Sequence, residues 1–160
     1  MFRIGSEHMF NMLVKKYKIL PRKTFDSEFK FDFNLVPKAL LHHFIRGYFD
    51  ADGSISFYKG KVGMFFNFSF VFNSETFTNQ IANIFQNLFE IKPVVYKKTG
   101  KTANWLALRF HYSYNRVRKV KEIYKWLYNN SNVFLSRKKT KFEQYFEYRA
   151  NCTIKSRSVV

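Results

Sequence analysis

The feature that most constrains the fold is a run of alternating side chains at residues 63–73, GMFFNFSFVFN. An extended strand points successive side chains to opposite faces, so a period of two separates them into two sets. One set is phenylalanine and the other is small or polar: Phe66, Phe68, Phe70 and Phe72 against Asn67, Ser69, Val71 and Asn73. A strand with one apolar face is typical of an antiparallel sheet that is covered on that face and open on the other. The run therefore predicts a sheet backed by helices.

Neighbouring segments supply the partners of this strand. Strands are predicted at 54–60, 92–98 and 104–110, with Gly60 and Gly63 in the first turn. In the last of these strands we expect three side chains on the buried face: Leu106, Leu108 and Phe110.

Apolar residues at helical spacing predict five helices, at 6–18, 37–49, 75–88, 114–128 and 138–149. Ser6 and Ser74 stand where N-cap residues are expected. Pro21 ends the first helix, and Pro37 suits the first position of the second. The middle helix should bury one stripe: Phe77, Ile81, Ile84, Phe85 and Leu88.

The fold class is therefore α+β, with an αββαββα order, a four-stranded antiparallel sheet backed by helices and an extra N-terminal helix. A chain of 160 residues is long enough for a single domain. We expect an N-terminal helical extension at 1–25, a core at 26–150 and a basic tail at 151–160.

Charge narrows the class of partner. The chain carries 28 Lys and Arg against 11 Asp and Glu, a formal charge of +17. A compact domain with that excess repels itself unless a polyanion relieves it, and nucleic acid is the usual polyanion. The alternatives are a basic protein without such a partner and an anionic membrane surface. No apolar run approaches the ~20 residues of a membrane-spanning helix. Of these partners we expect nucleic acid rather than a membrane.

Two further features bear on the compartment. Cys152 is the single cysteine, so no internal disulfide is possible and a reducing compartment fits. The many Phe, Lys, Asn, Tyr and Ile residues are typical of an AT-rich genome, which hints at an organelle or a phage. The N-terminus resembles neither a secretory signal nor an import leader, so we expect synthesis inside a mitochondrion or chloroplast.

The open face of the predicted sheet is polar and aromatic. Its side chains offer donors and acceptors that can read base edges from a two-stranded ribbon in the DNA major groove. The alternative is an ordinary solvated sheet face. The candidate DNA-binding residues are Ser54, Ser56, Tyr58, Asn67, Ser69, Tyr96, Lys98, Trp105 and Arg109.

Paired carboxylates end the second predicted helix. Asp50 and Asp52 face the negative end of the helix dipole there, so a cation should compensate them, and a divalent metal is one candidate. Simple solvation is the alternative. An EF-hand reading is weak because Lys61 occupies the position where that loop needs an acid, and a glycosidase would need a second acid far along the chain.

The same helix carries a stripe of small residues. Gly47 and Ala51 lie four residues apart, flanked by Leu40 and Phe44, and allow close approach of another helix. The obvious partner is the same helix of a second copy, which would bring the two Asp52 carboxylates together. Carboxylates held that close need a shared cation, and paired carboxylates with divalent ions suit phosphodiester cleavage.

The segment IRGYFDADG, residues 45–53, resembles the signature of the LAGLIDADG homing endonucleases. Arg46 and Tyr48 differ from the commonest residues of the signature. Five positions match it: Gly47, Asp50, Ala51, Asp52 and Gly53. The order of elements matches the family core from Pro37 to about Arg149.

The resemblance implies roles for several residues. Asp52 would be the ligand of Mg²⁺ or another divalent cation, assisted by the carbonyl of Ala51, and Asp50 would cap and brace the motif helices. Lys138 would be the lysine near the reacting phosphate, with Arg137 and Lys139 as rivals. Ser74 falls where some members have a glutamine that orders water, so it is a candidate for that catalytic position. His42 and His43 are expected to be packing or surface residues rather than ligands.

The resemblance also implies an activity. A single-motif member acts as a homodimer on a long, near-palindromic DNA site, and it makes metal-dependent staggered double-strand breaks across the minor groove. Such enzymes are often intron-encoded. Three alternatives stay open: an RNA-splicing maturase, a DNA-binding regulator of the same fold, or half of a two-repeat endonuclease.

Overall fold

A computed structural model of the chain describes residues 5–19, 28–61, 63–99, 104–112 and 116–157. The helices are α1 (Glu7–Asn11), α2 (Leu41–Asp52), α3 (Glu75–Phe89), α4 (Val117–Tyr128) and α5 (Ser136–Arg157). The strands are β1 (Ser54–Gly60), β2 (Gly63–Phe72), β3 (Val94–Thr99) and β4 (Asn104–Tyr112). A π-helical turn, Met12–Lys16, follows α1, and two 3₁₀ turns, Phe33–Leu35 and Lys38–Leu40, precede α2.

The strands form one antiparallel sheet in the order β1-β2-β4-β3. The phenylalanine face predicted from the alternation is confirmed: Phe66, Phe68 and Phe70 are 0% exposed and Phe72 is 3% exposed. Leu106, Leu108 and Phe110 of β4 are buried on the same face, as expected. The predicted α+β fold with its four-stranded sheet is therefore confirmed.

Aromatic rings fill the space between the sheet and the helices. The Phe68 ring lies 4.6 Å from that of Phe49 on α2 and 5.3 Å from that of Phe110 on β4. Phe85 of α3 lies 4.6 Å from Phe110, and Phe142 of α5 lies 5.2 Å from Phe66. Burying each such side chain contributes roughly 1.5–3 kcal/mol. This core fixes the orientation of α2 on the sheet.

Several helix bounds differ from the prediction. The first helix is α-helical only over Glu7–Asn11, although Ser6 caps it as predicted, its Oγ accepting from the Met9 N–H at 3.2 Å. Pro37 begins a 3₁₀ turn rather than the α-helix itself. Leu88 is 48% exposed, and Phe89 is buried in its place. The segment predicted as a basic tail continues α5 as far as Arg157.

Two predictions fall outside the described residues, namely the helix end at Pro21 and most of the turn at 99–103. Within the described ranges, no helix is both long enough and apolar enough to span a membrane.

Candidate functional site at the end of the motif helix

Asp52 is the last residue of α2, and both Asp52 and Ala51 are exposed. The next residue, Gly53, turns the chain directly into β1, and its N–H donates to the Phe49 carbonyl at 2.8 Å. A Cβ on Gly53 would lie 2.1 Å from Cδ2 of Phe49, so only glycine fits at this close approach. The tight turn leaves the Asp52 carboxylate at the rim of the sheet, beside the start of β1.

Asp50 faces the opposite way, toward the segment that precedes α5. Its Oδ2 accepts a hydrogen bond from the Leu135 N–H at 2.9 Å. Burial and the nearby Asp50 carboxylate raise the pKa of Tyr128 well above its usual range. Within this chain, Asp50 therefore braces the start of α5 against α2.

Lys138 lies beneath the same helix end and is 3% exposed. Its Nζ donates to the carbonyl of Phe49 and, at 2.8 Å, to the carbonyl of Asp50, and it lies 4.9 Å from the centre of the Phe49 ring. Burial and the neighbouring Arg137 lower the pKa of Lys138, while Asp50 and Asp52 raise it. The cation expected to compensate the carboxylates at this helix end is thus present in the chain as Lys138.

The two neighbours of Lys138 differ from it in their surroundings. Arg137 is exposed in the first turn of α5. Lys139 is half-buried, with Nζ 3.8 Å from Glu143 and 4.5 Å from the centre of the Phe134 ring.

Ser74 is 3% exposed and caps α3. Its Oγ accepts from the Phe77 N–H at 3.1 Å and donates to the Phe29 carbonyl at 2.5 Å. The hydroxyl therefore bonds two backbone groups of this chain, and a water-ordering role for Ser74 stays a prediction.

Arg46 is a structural residue of the motif that sequence reasoning missed. It is 7% exposed and donates to the carbonyls of Leu127 at 3.0 Å and Val133 at 3.1 Å, and to the Ser131 hydroxyl. These bonds fasten the end of α4 and the following loop to α2. A charged residue in the middle of the apolar run FIRGYF was the signal for this role.

The small-residue stripe on α2 is open. Gly47 is exposed, and a Cβ added there would meet no atom within 4 Å. Leu40 is 50% exposed beside it. Phe44, expected to flank the stripe, is half-buried and stacks on Phe31 at 4.8 Å. Tyr48 turns toward the sheet, its hydroxyl donating to the Val71 carbonyl at 3.2 Å.

The open face of the sheet gathers the predicted polar residues. Ser54, Ser56 and Tyr58 are exposed on β1. The register aligns Ser54 with Ser69, Ser69 with Arg109 and Ser56 with Asn67, and it aligns Tyr96 with Ala107, which in turn pairs with Val71. The candidates whose side chains the structure describes therefore share one face, and the backbone register also pairs Lys98 with Trp105. The side chains of Lys98 and Trp105 lie outside the described part of the structure.

Aromatic contacts on this face add to the prediction. The Arg109 guanidinium lies 5.0 Å from the Tyr96 ring centre, and Phe65, which sequence reasoning did not select, stacks on Tyr58 at 5.5 Å.

The donor atoms at the helix end are oxygens, from the Asp52 carboxylate and nearby carbonyls, and hard oxygen donors suit Mg²⁺. Among the described residues, no group of three or more His, Cys, Asp or Glu could hold a metal. The described residues of one chain thus offer a divalent ion the Asp52 carboxylate and the Ala51 carbonyl at this helix end. His42 and His43 lie against each other at 3.9 Å, and burial lowers the pKa of His42.

Comparison with known proteins identifies the family. A family model described as a LAGLIDADG-like domain matches residues 40–132, which is more than half of the chain. The match includes the motif helix, the whole sheet and α4, and it ends before α5. A search of curated proteins gave no match. With its αββαββα core, the chain belongs to the LAGLIDADG family of homing endonucleases and maturase-type proteins.

Proposed function

We propose that this chain is a site-specific DNA endonuclease that acts as a homodimer and makes metal-dependent, staggered double-strand breaks. One observation carries the proposal: an exposed Asp52 ends a helix whose small-residue stripe is open, next to a polar sheet face. These features provide a reacting end, a pairing surface and a DNA-reading surface side by side.

The pairing surface is the α2 stripe of Leu40, Gly47 and Ala51. Because Gly47 has no side chain and no neighbour within 4 Å, a second α2 can approach its backbone closely. Pairing about a two-fold axis brings the two Asp52 residues close to each other.

In that arrangement, Asp52 of each chain and the carbonyl of Ala51 would hold the divalent ion. When bound, such an ion lowers the pKa of a water and stabilises the leaving oxygen. The chain itself supplies orientation: Gly53 and the buried Phe49 ring set the direction of the carboxylate, and the helix end is anchored through Lys138.

The sheet face would bind the DNA. Ser54, Asn67, Ser69 and Arg109 offer hydrogen bonds to base edges, while Arg137 and Lys139 stand near the reacting end for phosphate contacts. A net charge of +17 favours a polyanion, and log Kd should therefore depend steeply on log salt concentration. The residue usage, which is typical of an AT-rich genome, supports our further proposal that the chain is synthesised in an organelle.

The test is cleavage of a randomised DNA library in Mg²⁺ by the wild-type chain and by Asp52→Asn. We expect the wild type to cut a long, near-palindromic site, and Asp52→Asn to lose cleavage by a factor of about 10³ or more while still binding that site. Glu147→Gln, which removes an exposed carboxylate from α5, is the matched control and should cut normally.

Two other outcomes identify the alternatives. Specific binding without cleavage by the wild type would indicate a DNA-binding regulator, and binding of a structured intron RNA instead would indicate a maturase. A monomer at micromolar concentration that cuts only with a second, different chain would indicate half of a two-repeat enzyme. If Asp52→Asn cleaves at the wild-type rate, the proposed site is wrong.

A further inference from the structure

The helices α2 and α5 cap each other with opposite charges. Asp50 of α2 accepts from the Leu135 N–H at the start of α5, and Lys138 of α5 donates to two carbonyls at the end of α2. A carboxylate is favourable at a helix N-terminus and an ammonium at a C-terminus, so both contacts agree with the helix dipoles. The exchange joins the last turn of the motif helix to the first turn of α5.

Burial limits what the Lys138 ammonium can do. It is 3% exposed, its Nζ lies 4.9 Å from the centre of the Phe49 ring, and two of its three N–H groups are used on the Phe49 and Asp50 carbonyls. To move toward a phosphate it would have to break both bonds: the Phe49 carbonyl would keep only the Gly53 N–H, and the Asp50 carbonyl would lose its charged donor. Losing a charged donor at a buried helix end is costly. Arg137, one residue earlier, is exposed and makes no hydrogen bond or ion pair to another residue that the structure describes.

We infer that Lys138 is a positioning residue, which fixes the last turn of α2 and thereby the direction of Asp52, and that Arg137 is the cation that meets the reacting phosphate. This inference rests on the proposed function. The match to the LAGLIDADG-like domain ends at residue 132, so the assignment depends on the contacts of this chain alone.

The two possible roles of Lys138 predict opposite changes in metal affinity when the lysine is replaced. A lysine that acts only through its charge repels a nearby divalent ion, so its removal should strengthen metal binding. A lysine that positions Asp52 should weaken metal binding when removed, because the carboxylate loses its fixed direction. Metal affinity therefore separates the roles without any measurement of activity.

The experiment compares Lys138→Met, Lys138→Arg and Arg137→Met with Lys125→Met, which removes an exposed lysine from α4. Three quantities are measured on each full chain: the thermal midpoint, the affinity for Mn²⁺ by electron paramagnetic resonance, and the single-turnover cleavage rate.

For Lys138→Met we expect a midpoint lower by about 5–15 °C, the shift that losing two charge-assisted hydrogen bonds causes in a chain of this size. Mn²⁺ affinity should fall by about tenfold, as for other groups that orient a ligand. Arg137→Met should keep the midpoint within about 2 °C of wild type and bind Mn²⁺ at least as well, yet cleave about 10² times more slowly.

Lys138→Arg keeps the charge but cannot seat its larger planar group on the same two carbonyls. We expect its midpoint to fall as well, and this variant decides the matter if Lys138→Met does not fold. The inference is overturned if Lys138→Arg retains the wild-type midpoint and rate. It is also overturned if Lys138→Met keeps its midpoint and binds Mn²⁺ more tightly while losing cleavage, or if Arg137→Met cleaves normally.

A wild-type chain that neither cleaves nor binds Mn²⁺ would refute the proposed function instead. The midpoints of the Lys138 variants would still decide whether this lysine caps α2.

Discussion

The two glycines of the motif meet different constraints, and replacing each by alanine should have effects of opposite sign. A Cβ on Gly53 would lie 2.1 Å from Cδ2 of Phe49 and 2.5 Å from the Phe49 carbonyl oxygen. Carbon atoms in contact lie about 3.5–4.0 Å apart, so the overlap is more than an ångström. A Cβ on Gly47 would meet nothing within 4 Å.

The magnitude follows from how little Phe49 can move. Its ring is 0% exposed and lies 4.6 Å from Phe68, and its carbonyl accepts from both Gly53 and Lys138. Overpacking of a rigid core costs about 1–3 kcal/mol, and we take the upper end here. The lower entropy of alanine in the unfolded chain returns about 0.5–1 kcal/mol, which leaves a net loss of about 2 kcal/mol.

For a chain of this size, such a loss lowers the thermal midpoint by about 4–8 °C. Gly47→Ala, in the interior of α2, should instead stabilise the single chain by about 0.5–1 kcal/mol through helix propensity. The assay is urea unfolding followed by circular dichroism, at several protein concentrations so that the single chain and the pair are separated. If the two variants are equally stable at the lowest concentration, the steric argument for Gly53 is refuted.

Three further predictions concern the surroundings of the site. Arg46→Met should lower the free energy of unfolding by about 3 kcal/mol, because the buried Leu127 carbonyl and the partly buried Val133 carbonyl lose a charged donor. Arg118→Met, at an exposed ion pair, should change it by less than about 0.5 kcal/mol in the same urea titration. Ser74→Ala should lower the free energy of unfolding by about 1–2 kcal/mol, because α3 loses its N-cap. A hundredfold slower cleavage by the folded variant would instead support the prediction that Ser74 orders water. Burial raises the pKa of Tyr128 and Tyr145 above 10, so the folded state retains protons that the unfolded state loses above that pH. The free energy of unfolding should be unaffected below about pH 10 and should fall above it by about 1.4 kcal/mol per pH unit for each tyrosine that stays protonated in the folded state. A free energy of unfolding that is independent of pH above 10, with tyrosine ionisation at 295 nm already near pH 10, would contradict the burial.

The parts of the fold that follow from local pattern were predictable. The alternation around Phe68 identified a half-buried strand, and the spacing from Ser74 to Phe85 identified a capped helix, because burial and capping act over a few residues. Leu88 was wrongly placed in the buried stripe, because the buried apolar residues of α3 recur every four positions, at Phe77, Ile81, Phe85 and Phe89, and Leu88 lies outside that series.

The motif indicated where the reacting end lies, but not how its charges are arranged. The contact from Lys138 to the Asp50 carbonyl spans 88 residues of sequence, and the contact from Asp50 to Leu135 spans 85. No local spacing reveals such pairs. A lysine near the motif was predictable, whereas its burial required the packing of α5.

The long separation of the α2–α5 contacts has a consequence for the order of folding. A ribosome has made α2 and most of the sheet well before it reaches Leu135 and Lys138, and closing a loop of that length costs chain entropy before the contact forms. Until then, the Asp50 carboxylate lacks the Leu135 N–H and the Asp50 carbonyl lacks the Lys138 ammonium. We therefore expect the nascent chain to acquire its sheet first, and the contacts that fix the last turn of α2 to form only after Leu135 and Lys138 have been made.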